Sequence, residues 1–188
     1  MLKANSELTL KARKSLENKW DVAVGAYFLY MIILGAGSEV GLVIGGPMQL
    51  GSSEFSLNLA RGKKADYPQI FNGFSNFVES LVAYLWMVLF ILLWALLLII
   101  PGIIAAIAYS QTFYILSENK NMKGREALDK SKAMMEGHKW KFFMLTVRFF
   151  GWFLLSILTF GIGFLFLVPY MHVTFAHFYD DLKKHSKA

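Results

Sequence analysis

The 188-residue chain contains no cysteine, which excludes disulfides, thiolate metal sites and a cysteine nucleophile. Proline occurs only four times, so its helices are interrupted at few places. Charge is also scarce. Asp, Glu, Lys and Arg make up 17% of the residues, against roughly 25% in an average soluble chain, and they lie between apolar runs. Positive charge is absent from three turns, around Gly35 to Glu39, Pro101–Gly102 and Phe160 to Gly163. Of the nineteen Lys and Arg residues, all but Arg148 fall in the stretches that alternate with those turns. If the chain crosses a membrane six times, these basic stretches share one face. Short loops rich in Lys and Arg stay cytoplasmic, so both termini are expected inside.

What is abundant is apolar surface, at 56% of residues. The pattern predicts an all-α, polytopic membrane bundle forming a single unit over 1–188, with six transmembrane helices as three hairpins. Residues 1–19 contain an amphipathic helix in which Leu8, Ala12 and Leu16 recur every four positions, expected to lie in the inner interface with that stripe in lipid. Hairpin 1 covers 20–60, hairpin 2 covers 78–117 and hairpin 3 covers 139–180. A second amphipathic cytoplasmic helix is expected over 121–137, with Glu126 and Lys130 as an i,i+4 pair and Gly137 as its stop. In the second span, Gly37, Gly41 and Gly45 recur every four residues, which admits close approach of another helix, and Pro47 should bend it. That span also carries Gln49, Ser52, Ser53 and Ser56 on one stripe and Glu54 and Asn58 elsewhere, so it must pack inside the bundle. Pro101 and Gly102 are read as the outer turn of hairpin 2, and Pro169 as a bend in span six. Trp20 to Pro47 and Trp140 to Pro169 enclose similar hairpins of 27 and 29 residues, consistent with a parallel internal repeat.

Ionisable groups within apolar spans are the best pointers to function, because each is expensive to bury. Glu54, Gln111, Arg148 and His172 all fall roughly 9–13 Å from the inner boundary at 1.5 Å per residue. One expectation is a polar layer in which Arg148 pairs with Glu54, completed by Gln111 and His172. The alternatives are that Arg148 snorkels inward, stacks on Trp152, or lines a substrate or proton path. His172 and His177 are five apart and so do not share a metal as i,i+4 histidines would; His177 is expected to pair with Asp180 or Asp181. Ser110, His172 and Glu54 make a Ser–His–carboxylate set only on paper, since no nucleophile elbow frames the serine. No catalytic residue, metal or cofactor is therefore assigned. The dispersed basic groups suit anionic lipid headgroups better than nucleic acid.

From Phe71-Asn72-Gly73-Phe74 onward, a series of stretches resembles a widespread bacterial family of small integral membrane proteins known only as a domain of unknown function. They include Ile99-Ile100-Pro101-Gly102-Ile103-Ile104, Gly137-His138-Lys139-Trp140, Gly151-Trp152, Gly161-Ile162-Gly163 and Pro169-Tyr170. The resemblance implies a six-helix protein of the bacterial cytoplasmic membrane and brings no reaction or catalytic residue. Arg148 departs from it, standing where that pattern has an apolar residue. The chain is also distantly similar to the membrane domain of some glycerophosphodiester phosphodiesterases, which implies lipid-related work. The expected function is thus non-enzymatic: a membrane module that binds a protein partner, another copy of itself or lipid at the inner side. The alternative is a small transporter or channel lined by the polar layer.

Overall fold

The computed structural model describes residues 2–35 and 38–185, which are helices and connectors with no strand among them. In chain order the helices are α1 (Asn5–Leu16), α2 (Trp20–Gly35) and α3 (Ser38–Ala60). A 3-10 segment, Tyr67–Asn76, leads into α4 (Phe77–Leu97), α5 (Ile99–Tyr109) and α6 (Thr112–Glu118). Then follow α7 (Gly124–Met134), α8 (Lys139–Val147), α9 (Phe150–Leu158) and α10 (Phe164–His185). Three stretches are long and apolar enough to cross a membrane, Tyr67–Leu96, Ile99–Glu118 and Lys139–Leu158, while α2 is apolar but shorter.

The organising helix is α3, which touches α1, α2, the 3-10 segment, α4, α6 and α10. Its serines explain why it sits there. Ser52, Ser53 and Ser56 are buried, and such small side chains let neighbouring helices approach closely without stranding their hydroxyls. Each bonds back to a carbonyl one turn earlier: Ser53 Oγ donates to Gln49 O at 2.8 Å and Ser56 Oγ to Ser52 O at 2.6 Å.

The tightest packing joins α3 to the connector after it. A Cβ at Gly51 would collide with the Ile70 carbonyl, one at Gly73 with the Pro47 carbonyl, and one at Gly46 with the Ser80 carbonyl. Backbone meets backbone along this seam, which holds a ten-residue 3-10 segment where such runs are usually three or four residues long. The four-residue glycine repeat picks out a neighbouring stripe. Gly45 does accept the Tyr84 ring, 2.9 Å from where its Cβ would stand, but Gly41 faces open space, and Gly37 lies outside the described residues.

Several expectations are corrected. The apolar stripe of α1 is not in lipid: Leu8, Ala12 and Leu16 are fully buried within the protein, because α1 lies against α10 and α3. Hairpin 2 turns at Leu98, whose backbone is extended (φ −163°, ψ 144°), and not at Pro101–Gly102. Pro101 occupies the first turn of α5, where its missing N–H costs nothing, and Gly102 lets α5 press on Ala95, 2.8 Å from its would-be Cβ. Span five runs over Lys139–Leu158 as expected, with one tightened turn at Arg148–Phe149 between α8 and α9. Hairpin 3 turns where expected, with Phe160 and Gly161 at positive φ (52° and 89°).

Hairpin 1 also lies differently from a set of alternating crossings. Trp20 sits 6.0 Å from the Phe166 ring and Tyr27 4.7 Å from that of His172, so residue numbers rise together along α2 and α10. Alternation would make spans one and six antiparallel. Hairpin 1 is laid across α10 instead.

The connector helix α7 is seated and not loose in solvent. The Gly124 N–H donates to Glu79 Oε2 at 2.6 Å, Arg125 stands 5.0 Å over the Trp86 ring, and Ser131 Oγ donates to the Ala108 carbonyl at 2.8 Å. Among the described residues Glu126 and Lys130 form no ion pair.

Candidate functional site

The strongest concentration of charge joins one end of each hairpin. Arg61, just past α3, sends its guanidinium to both oxygens of Asp180 on α10 (Nε at 3.2 and 3.1 Å) and to Glu118 Oε1 at the end of α6 (Nη2 at 2.7 Å). Glu118 Oε2 in turn accepts from Tyr179 Oη at 2.6 Å and Lys183 Nζ at 2.7 Å. The hydrogen bonds from Arg61 to Asp180, with those to Glu118, hold the guanidinium above its ordinary pKa despite partial burial. A planar fork can serve two carboxylates at once, which an ammonium cannot do in the same geometry. Hairpins 1, 2 and 3 are thereby clasped at their basic ends. No single segment announces this hub, but a signal existed: Arg61, Glu118 and Asp180 each end an apolar span at the same side.

Near the hub, His177 does not pair with Asp180 or Asp181. Its Nε2 shares a hydrogen bond with Ser15 Oγ on α1 at 2.9 Å, because Asp180 is taken by Arg61. Asp181 accepts the Lys3 backbone N–H at 2.7 Å, fastening the N-terminus to α10.

The expected polar layer is dispersed. Glu54 Oε1 accepts from Asn72 Nδ2 at 3.0 Å, facing the 3-10 segment. Arg148 is exposed at the α8–α9 junction and, among the described residues, has neither an ion pair with Glu54 nor a stack on Trp152. Gln111 is fully buried; its Nε2 donates to Ser110 Oγ at 2.8 Å and its Oε1 has no partner among the described residues. An equal count of residues along four helices says nothing about which way each group faces, and they face apart. His172 alone reaches a polar cluster, its ring 4.7 Å from that of Tyr27 and tilted by 33°, with its carbonyl accepting from Tyr114 Oη at 3.2 Å. That cluster, missed from sequence, is closed by Tyr27 Oη with Ser56 Oγ at 2.6 Å and Tyr30 Oη donating to Gln49 Oε1 at 2.8 Å. Ser110, His172 and Glu54 do not converge: the serine donates to Ile107 O at 2.8 Å. No three His, Asp or Glu side chains among the described residues are grouped to hold a metal.

A charge swap tests the dispersal. Glu54→Arg with Arg148→Glu should be no more stable than the sum of the two single changes, within about 0.5 kcal/mol, in thermal melts of the detergent-solubilised protein. A paired layer would instead give rescue.

Residues 95–186, from the end of α4 through α10, match the model of a family described as a protein of unknown function (DUF975). The resemblance to an uncharacterised family holds over that stretch. No curated protein and no solved structure matches the chain.

Proposed function

We propose that this chain is a non-enzymatic integral membrane module of the bacterial cytoplasmic membrane, binding lipid, a protein partner or a second copy at its inner side. The observation that carries the reading is the separation of two surfaces. The hairpin flanks and turns expose large apolar side chains, with Leu96 at 88%, Ile99 at 76% and Phe160 at 99% exposure. Monomeric soluble proteins rarely leave such contiguous apolar surface in water. The ion pairs gather at the opposite ends of the same hairpins, around Arg61, Glu118 and Asp180. A hairpin returns the chain to the side it left, so both termini and the connectors 61–76 and 119–138 belong to the hub face. The excess of Lys and Arg there favours the cytoplasmic side. Hairpins 2 and 3 supply the stretches long and apolar enough to cross, and hairpin 1 is laid across α10.

A transporter needs a wetted polar path, and the geometry favours it less. Tyr27, Tyr30, Gln49 and Ser56 satisfy one another, while Glu54 and Arg148 lie apart. Because the chain has no cysteine, single Cys replacements of Glu54, Gln111 and His172 can be probed cleanly in membranes. A module predicts no reaction at Gln111 and His172 with a water-borne maleimide applied from either side. Rapid labelling at both would replace this reading with transport.

A further inference from the structure

We propose that the groove between α1, α9 and α10 holds one anionic phospholipid, with its phosphate at Arg13 and Arg148 and an acyl chain along the apolar floor. This rests on the membrane reading above and names the ligand class and its place. The groove encloses about 420 Å³, inside the size range of small-molecule sites. Trp20, Trp152, Leu155, Phe166 and Leu167 supply most of its walls, and Arg13 stands among them. Trp20 braces one wall through its ring contact with Phe166.

The polar side chains of this groove are already used. Tyr170 Oη donates to the Thr9 carbonyl at 3.2 Å, and Ser156 Oγ donates to the Trp152 carbonyl at 2.8 Å. Thr159 Oγ1 donates to Ser156 O at 3.0 Å and accepts the Gly163 N–H at 3.0 Å. What remains to meet a ligand is hydrocarbon and guanidinium. Arg13 is exposed on α1 and has no ion pair among the described residues, whereas Lys3 and Lys11 on the same helix share Glu7. Arg148 is exposed and equally without a carboxylate. It does not itself line the groove, but it stands four positions before Trp152 and seven before Leu155, which do, and at helical spacing the three share one face of the α8–α9 stretch. A guanidinium facing lipid part-way down a hairpin is costly unless an anion meets it, and its fork of donors matches a phosphodiester. Cation and apolar trough together fit a lipid that brings both a negative headgroup and a chain. A free phosphate would leave the trough empty, and a neutral lipid would leave the arginines unanswered.

The test uses the full chain in nanodiscs of phosphatidylcholine carrying a trace of spin-labelled phosphatidylglycerol or spin-labelled phosphatidylcholine. Electron paramagnetic resonance reads the motionally restricted fraction. The expected result is a preference for the anionic lipid of about fivefold per arginine, falling toward one in Arg13→Ala/Arg148→Ala. Leu155→Trp, which fills the trough and leaves both charges, should reduce the restricted fraction severalfold. Lys63→Ala/Lys64→Ala, which removes two cations elsewhere, should leave the preference intact. Equal restriction of both lipids by an inserted wild-type chain overturns the groove and leaves the membrane reading standing. A preference that survives loss of both arginines, or falls equally in the lysine variant, overturns it in favour of diffuse surface charge. A Leu155→Trp chain that restricts as much lipid as wild type removes the acyl chain from the trough and also overturns it. A wild-type chain that alkaline carbonate strips from membranes overturns both readings together.

Discussion

Gly51→Ala is expected to cost about 3 kcal/mol or more, a fifth to over half of a typical stability margin of roughly 5–15 kcal/mol. A methyl group there meets the Ile70 carbonyl, with the Gln69 carbonyl also at 3.2 Å. Overpacking is cheap where a flexible side chain can move aside, but here the obstacle is backbone on a segment itself held by Asn58 Nδ2 bonding Gln69 Oε1 at 3.1 Å. Gly73→Ala should fail for the reciprocal reason, since its methyl meets the Pro47 carbonyl. Gly41→Ala is the control. Nothing stands within 4 Å of its would-be Cβ, so the gain in helix propensity should stabilise α3 by about 0.5–1 kcal/mol. Thermal melts in detergent give the three values side by side. If Gly51→Ala and Gly41→Ala melt alike, the α3 seam is wrongly placed.

Arg61→Ala is expected to cost about 2 kcal/mol, between the small value of an exposed ion pair and the 3–5 kcal/mol of breaking a buried one. The intermediate figure follows from exposure. The side chains are 27% exposed for Arg61, 16% for Glu118 and 23% for Asp180, so water screens the hub without flooding it. At roughly 2–4 °C per kcal/mol for a chain of this size, the melting temperature should fall by about 4–8 °C. Arg61→Lys should recover little, because one ammonium cannot serve both oxygens of Asp180 and Glu118 together. Full recovery by lysine would show that bulk charge, and not the fork, clasps the hairpins.

How much of this was legible in the sequence follows from what local patterns encode. The helical class, the hairpin 3 turn at Gly161 and the interior position of α3 follow from composition, glycine placement and polar stripes, all of which are local. The hub was legible only as three charges that end apolar spans on one side; their pairing was not, because the partners stand 57 and 119 residues from Arg61 and no periodicity connects them. Glu54 and Arg148 illustrate the opposite failure. Rise per residue counts two groups to one depth, but their facing depends on how helices rotate against neighbours, and the 3-10 segment captured Glu54 through Asn72. For α1 the stripe of Leu8, Ala12 and Leu16 was visible, yet an apolar stripe suits lipid and protein equally. Only the placement of α10 decided between them. The turn of hairpin 2 shows the same ambiguity on a smaller scale: Pro101 marks the neighbourhood of a break, but proline is tolerated in a first helical turn, so the chain reversed three residues earlier.

The account turns on sidedness: hub, termini and both long connectors on one face, with the apolar turns away from it. Introducing one cysteine at a time at Lys63, Asn121 and Lys184 and applying a membrane-impermeant maleimide measures this directly. All three should label in inverted membrane vesicles and none in intact cells. Labelling of any of them from outside intact cells would contradict the arrangement of the hairpins around a cytoplasmic hub.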